Sequence, residues 1–146
     1  MQTIPVILSI RANAYRDSGS EEPMMMLTSG ELSLEKNRAV LTYQETLDES
    51  LPPQPVVLIA QDDGITVLRG GAYETTLVFR KGFRYEGVYH TPYGDMDLAV
   101  YCTRLRYELG PDGGDVALGY QMDLNGQFAA MHELSLIHIS EPTRLR

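Results

Sequence analysis

Apolar residues recur at every second position through most of this chain, and that period leaves room for little but β-sheet. Ile4, Val6, Leu8 and Ile10 alternate with Thr3, Pro5, Ile7 and Ser9. Further on, Val116, Leu118, Tyr120, Met122 and Leu124 alternate with Ala117, Gly119, Gln121 and Asp123. Successive side chains on a strand point to opposite faces, so each run describes a strand with one buried face. Turn chemistry divides the runs. Asn125-Gly126 is the strongest signal, because a two-residue type I′ turn needs positive φ at both central positions. Asp63-Gly64, Lys81-Gly82, "PDGGD" and "EKNR" separate other pairs of runs in the same manner. The spacing predicts strands near 3–15, 23–34, 38–47, 55–61, 65–69, 74–80, 83–90, 95–109, 115–124 and 127–139. The prolines of "LDESLPPQP" mark a loop with room for one helical turn at most.

A meander of about ten antiparallel strands would leave long exposed edges unless it closed on itself. The predicted fold is therefore all-β, a single antiparallel up-and-down barrel of calycin or lipocalin type with eight to ten strands and little helix. A two-sheet sandwich is the alternative. One run carries a further signal: Leu98 and Val100 are in one phase, while Leu105, Tyr107 and Leu109 are in the other. A strand that changes face midway contains a bulge or a sharp bend, here near Cys102–Arg104, as strands do at barrel corners.

The chain has 146 residues, the size of one domain with a real core. Twelve basic residues against twenty acidic ones give a net charge of −8. That balance disfavours nucleic acid and anionic membranes as partners, since phosphate contacts need clustered Lys and Arg. It reads otherwise as a solubility device. A single cysteine, Cys102, excludes an internal disulfide and a Cys-based metal cage. The opening "MQTIPVILSI" has no basic leader and reads as a strand, and no run approaches the ~20 apolar residues of a membrane span. These features predict a soluble, cytoplasmic protein whose oligomeric state is left open.

The segment Tyr89-x-Thr91-Pro92-Tyr93-Gly94, the Arg69-Gly70-Gly71 turn and the run Tyr120-x-Met122-x-Leu124-Asn125-Gly126 carry a resemblance. In this order and spacing, spread from about residue 4 to residue 135, the chain resembles the YwiB-like family of uncharacterised bacterial proteins. The resemblance implies a closed calycin-like β-barrel. It implies no activity, and fold by itself does not settle function.

A search for chemistry finds little. His90, His132 and His138 have no second ligand at metal spacing, and His132 and Glu133 are adjacent on a strand and so face opposite ways. Asp95 and Asp97 share a strand face, where they read as a solvated face or as an acid–base or cation-binding pair. Gly70-Gly71 lacks the strand–loop–helix setting of a phosphate loop, and Ser9, Ser29 and Ser33 lack a nucleophile elbow. Cys102 reads as a small buried hydrophobe. The expectation is a protein that is not an enzyme and carries no metal or cofactor.

Two clusters remain. Arg69 is in phase with Ile65 and Val67, so its charge points into the barrel and needs a partner. Glu45, in phase with Leu41, Tyr43 and Leu47, is the candidate. The pair reads either as structural or as part of a polar ligand site. Tyr85 and Tyr89 share a face of one strand, with Tyr93 just beyond, and read as wall packing or as a stacking shelf. Two functions follow. The first is a barrel that binds a small apolar or amphipathic molecule in a lumen that includes Met24 and Met26, with ligand contacts from Arg69, Tyr43, Glu45, Tyr89 and Tyr93. The other is a packed-lumen structural or protein-interaction module. A lumen larger than about 300 Å³ favours the first.

The C-terminal stretch is of a different kind. "LSLIHISEPTR" at 134–144 resembles the in-frame translation of a transposase end and adapter used to prepare sequencing libraries, although Leu134 and Ser135 also suit the family's last strand. The expected organisation is thus a barrel domain over 1–133 and an adapter artefact over 134–146 that partly continues the last strand. Strand structure should run to about Ile139 and stop at or before Pro142, which cannot donate to a ladder. The inward positions of that strand should be Phe128, Ala130, His132, Leu134, Leu136 and 138, with His138 at the barrel mouth or turned outward to keep its imidazole hydrated.

Overall fold

The computed structural model describes every residue except 1, 17, 18, 21, 22, 47–49, 51 and 141–146. Among the described residues ten long strands and one short one form a single antiparallel sheet. In chain order they are β1 (Gln2–Arg16), β2 (Gly19–Ser20), β3 (Met24–Glu35), β4 (Arg38–Glu45), β5 (Gln54–Gln61) and β6 (Gly64–Arg69). A three-residue 3-10 turn, Gly71–Tyr73, leads to β7 (Thr75–Arg80), β8 (Arg84–Thr91), β9 (Gly94–Leu109), β10 (Gly113–Leu124) and β11 (Gln127–Ser140). Among the described residues no helix is long and apolar enough to cross a membrane. Leu47, Asp48, Glu49 and Leu51 of the loop expected before β5 lie outside the described residues.

The strand order is β7-β6-β5-β4-β3-β1-β11-β10-β9-β8, with β2 attached to β1. Nearly every strand thus pairs with its neighbour in sequence, as a meander requires. The non-local pairing is β1 with β11, which runs from Val6↔Ser140 to Tyr15↔Met131. The barrel closes where its first and last long strands meet. Its seam lies instead between β7 and β8, which are consecutive in sequence but share no ladder. A short turn joins them at one end. At the other, His90 N donates to the Glu74 carbonyl at 3.1 Å.

Local chemistry accounts for the turns. Asn125 and Gly126 both have positive φ (51° and 79°), as the type I′ turn demands. Asn125 N donates to Asp97 O at 2.8 Å and its side-chain Oδ1 accepts from Asp97 N at 2.9 Å, which ties this turn to β9. The β5–β6 turn sits one residue earlier than its sequence suggests. Asp62, not Gly64, takes the left-handed conformation (φ 56°), which Asp tolerates, and Gly64 opens β6. The bulge expected near Cys102–Arg104 is present. Tyr120 pairs with Cys102 and Gly119 with Arg104, leaving Thr103 as the extra residue and switching the phase of β9.

A second bulge corrects the reading of β11. Met122 pairs with Ala130 but Asp123 pairs with Phe128, so Ala129 is inserted and Phe128 is carried to the outer face. Ala130, Leu136 and His138 are buried as their alternation predicts. The strand extends to Ser140, in line with the expected end, and Pro142 lies outside the described residues.

The two halves of the barrel differ. At one end Leu8, Leu32, Leu41, Leu58, Phe79 and Val100 fill the interior, each at most 1% exposed. Every such side chain contributes about 1.5–3 kcal/mol relative to exposure. The Tyr107 hydroxyl donates to Asp62 O at 2.7 Å and helps to close this end. At the opposite end the interior opens into a cavity.

Candidate functional site

The cavity measures about 330 Å³. Its walls differ in chemistry because strands from opposite sides of the barrel supply them. On one side β4, β6, β7 and β8 present Tyr43, Glu45, Arg69, Thr75 and Tyr89, with Tyr73 from the 3-10 turn. Facing them, β1, β9, β10 and β11 present mainly apolar side chains, among them Ile10, Leu98, Met122, Ala130 and Leu134, interrupted by Tyr120 and His132 and bordered by Arg16 and Glu133.

Arg69 is the centre of the polar wall. It is the last residue of β6, in phase with buried Ile65 and Val67, and so points inward. Gly70 and Gly71 then turn the chain sharply. Gly71 has φ +87°, and a Cβ there would lie 2.9 Å from the Gln54 side chain. Gln54 Oε1 accepts from Tyr73 N at 2.9 Å, which holds Tyr73 over the mouth, 6.2 Å from the Tyr89 ring. The Arg-Gly-Gly sequence therefore positions two site residues together.

Arg69 Nε donates to Glu45 Oε1 at 3.0 Å, with side-chain exposures of 23% and 7%. Burial works against the charged guanidinium, but Glu45, Tyr120 and Tyr43 together more than offset it, and the net shift of the Arg69 pKa is upward. Burial likewise pushes the tyrosines up. Tyr43 is raised to about 12, chiefly by desolvation, with Arg69 opposing and Glu45 adding to the rise. Tyr89 and Tyr120 shift in the same direction for the same leading reason. All three hydroxyls stay neutral near pH 7, able to donate and to accept. Tyr120 is also packed tightly, with Phe79 at 4.7 Å on one side and the His132 ring stacked at 5.0 Å on the other.

Of the residues singled out in the sequence, the structure brings Arg69, Glu45, Tyr43 and Tyr89 together. Tyr93 does not join them. It lies in the β8–β9 turn at 92% exposure, because the turn itself carries its side chain away from the barrel. Met24 lines the cavity and Met26 packs against the core. Tyr85 faces a separate external groove of about 500 Å³ over the β7–β8 seam, bordered also by Leu68, Val88 and His90. Arg69 and Thr75 border both hollows. Sequence reasoning passed over Tyr120 and His132, although both fall in phase with inward residues. Tyr73 carried no such signal, since it sits in a turn without a period.

The other candidates stay apart. Asp95 pairs with His90 at 2.9 Å on the exposed β8–β9 hairpin, and Asp97 is exposed. Among the described residues no group of three or more His, Cys, Asp or Glu could hold a metal ion. Cys102 is buried and its thiol donates to Arg104 O at 3.4 Å. Burial raises its pKa, which disfavours the reactive thiolate. His138 corrects its expectation: it is 1% exposed inside the packed half, and neither ring nitrogen is hydrogen-bonded among the described residues.

Residues 8–136 match the family described as a domain of unknown function, DUF1934. The chain belongs to the DUF1934 family. It is 20% identical over 137 residues to the uncharacterized β-barrel protein YwiB of Bacillus subtilis (strain 168), covering 94% of each. The crystal structure of that YwiB protein superimposes with a TM-score of 0.86, over 97% of this chain and 95% of the other. The resemblance read from the sequence and the all-β barrel are thereby borne out. At 20% identity the structural likeness speaks to the fold of a DUF1934 barrel, and the two-walled cavity must be argued on its own residues.

Proposed function

We propose that this DUF1934 barrel binds one small amphipathic molecule in the open half of its lumen, and binds it without turning it over. The observation that carries the reading is a 330 Å³ cavity in which a polar cluster around Arg69 faces a mainly apolar surface around Leu98 and Met122. The volume falls at the lower end of the range for small-molecule sites, and such sites combine apolar lining with a few convergent polar groups. A barrel with a wholly packed lumen would fill this space with side chains. The acidic net charge of −8 fits a small ligand better than a polyanion such as nucleic acid. A structural or interaction role is the second reading. It draws on outer-face residues such as Met25 and Leu27, which are 69% and 77% exposed.

Native mass spectrometry of protein taken directly from cells distinguishes the two. A bound species of small mass is expected on the wild-type chain and its loss on Ala130→Leu, which fills the cavity from the mainly apolar side. A chain that carries no adduct under gentle desolvation, whatever its source, overturns the ligand reading in favour of the surface module.

A further inference from the structure

We propose that the lumen selects a compact carboxylate, whose two oxygens accept from the terminal guanidinium nitrogens of Arg69 while its apolar body lies against Leu98, Met122 and Leu134. The proposal rests on the lumenal reading above and narrows it to a chemical class.

The guanidinium has five N–H donors in a planar fork. Glu45 takes the one on Nε, at 3.0 Å. The terminal nitrogens make no hydrogen bond to a protein group among the described residues, and the side chain borders both the cavity and the outer groove over the seam. That leaves the four remaining donors, carried by the two terminal nitrogens, facing partly buried space. A planar, two-oxygen acceptor matches the fork, and the charge-assisted bonds it forms are stronger than neutral ones. Glu45 holds Arg69 in place through Nε and leaves the fork to the ligand.

Charge separates the candidate acceptors. A carboxylate gives the guanidinium two singly charged neighbours, one of them Glu45. A phosphate would add up to two negative charges beside Glu45 in a poorly hydrated site, where like charges repel strongly. A neutral amide offers only one oxygen and turns its own N–H donors against the guanidinium. The hydroxyls of Tyr43, Tyr89 and Tyr120, kept protonated by burial, are further donors near Arg69. The small volume calls for a compact body rather than a long flexible chain.

The test is calorimetric titration of the full chain with 2-naphthoate and 2-naphthamide, which share a body and differ in the head. The acid should bind more tightly, by about ten-fold or more, as expected for charge-assisted bonds. Arg69→Lys keeps a cation beside Glu45 but loses the fork, so the preference for the acid should collapse. Glu45→Gln removes the neighbouring negative charge, so it should widen the preference for the acid over the amide several-fold. Equal or tighter binding of the amide, displaced in Ala130→Leu, overturns the carboxylate assignment and leaves the lumenal reading standing. Binding of neither compound also overturns the assignment, and the native mass measurement then decides separately whether the lumen holds any ligand.

Discussion

Arg69 and Glu45 meet across β5: the guanidinium Nε of the last residue in β6 lies 3.0 Å from the carboxylate of the last residue in β4. Both backbones pair with β5, through Val56↔Arg69 and Gln54↔Glu45, so the ion pair bridges two strands that do not touch in the ladder. It is one of the few polar contacts inside the barrel, and removing one partner leaves the other charge without compensation. Arg69→Ala is expected to cost on the order of 3 kcal/mol in urea denaturation, because it strands a buried carboxylate. Replacing both residues together, Arg69→Met with Glu45→Leu, should cost less than Arg69→Ala alone. A double variant that is less stable than the single one would contradict this account.

His138 should be a net destabilising residue. Both ring nitrogens are buried without partners among the described residues, a cost on the order of 1–3 kcal/mol. His138→Leu is therefore expected to raise the urea midpoint. Burial also lowers its pKa in the fold, so the unfolded chain binds the proton first as pH falls. The wild type should lose stability as pH drops below about 6.5, the unfolded value, towards the lower folded one. Denaturation at a series of pH values across that window should show a slope in the wild type that is reduced in His138→Leu.

Tyr43 has the opposite dependence. Its hydroxyl keeps its proton in the fold to about pH 12, whereas an unfolded tyrosine releases it near 10. The folded state thus holds more protons in this interval, and stability should decline as pH rises from about 10 to 12. Tyr43→Phe should flatten part of that decline. Ultraviolet titration should also show one fewer late-ionising tyrosine, and an unchanged titration curve would contradict the placement of Tyr43.

Gly30 marks a close approach in the wall beneath the site. A Cβ there would lie 2.4 Å from Thr42 O, which is backbone, and 3.3 Å from Tyr43 Cβ. Gly30→Ala must therefore part β3 from β4 and should destabilise by about 1–3 kcal/mol or more. Gly126→Ala meets no atom within 4 Å and has only its positive φ to contend with, so it should cost less. Thermal melts of the two variants give the comparison.

The sequence by itself determined which residues face inward along most strands, where the hairpins turn, and that Arg69 and Glu45 point into the same interior. Those properties are local. They follow from the two-residue repeat of a strand and the φ requirements of Asn-Gly and its relatives, and both can be read without knowing what lies across the barrel. The phase change in β9 was legible for the same reason, since a bulge leaves its trace in the alternation itself. Tertiary structure decided the rest. The inserted Ala129 turned Phe128 outward, and only the pairing with β10 reveals an insertion in a stretch that remains apolar throughout. His138 was placed inside because β11 is held between β1 and β10 over its length, so the ladder fixes its side even where that side suits the imidazole poorly. The seam between β7 and β8, and the cavity beside it, depend on how many strands can close around one core. That closure joins residues more than a hundred positions apart, and no local pattern encodes it.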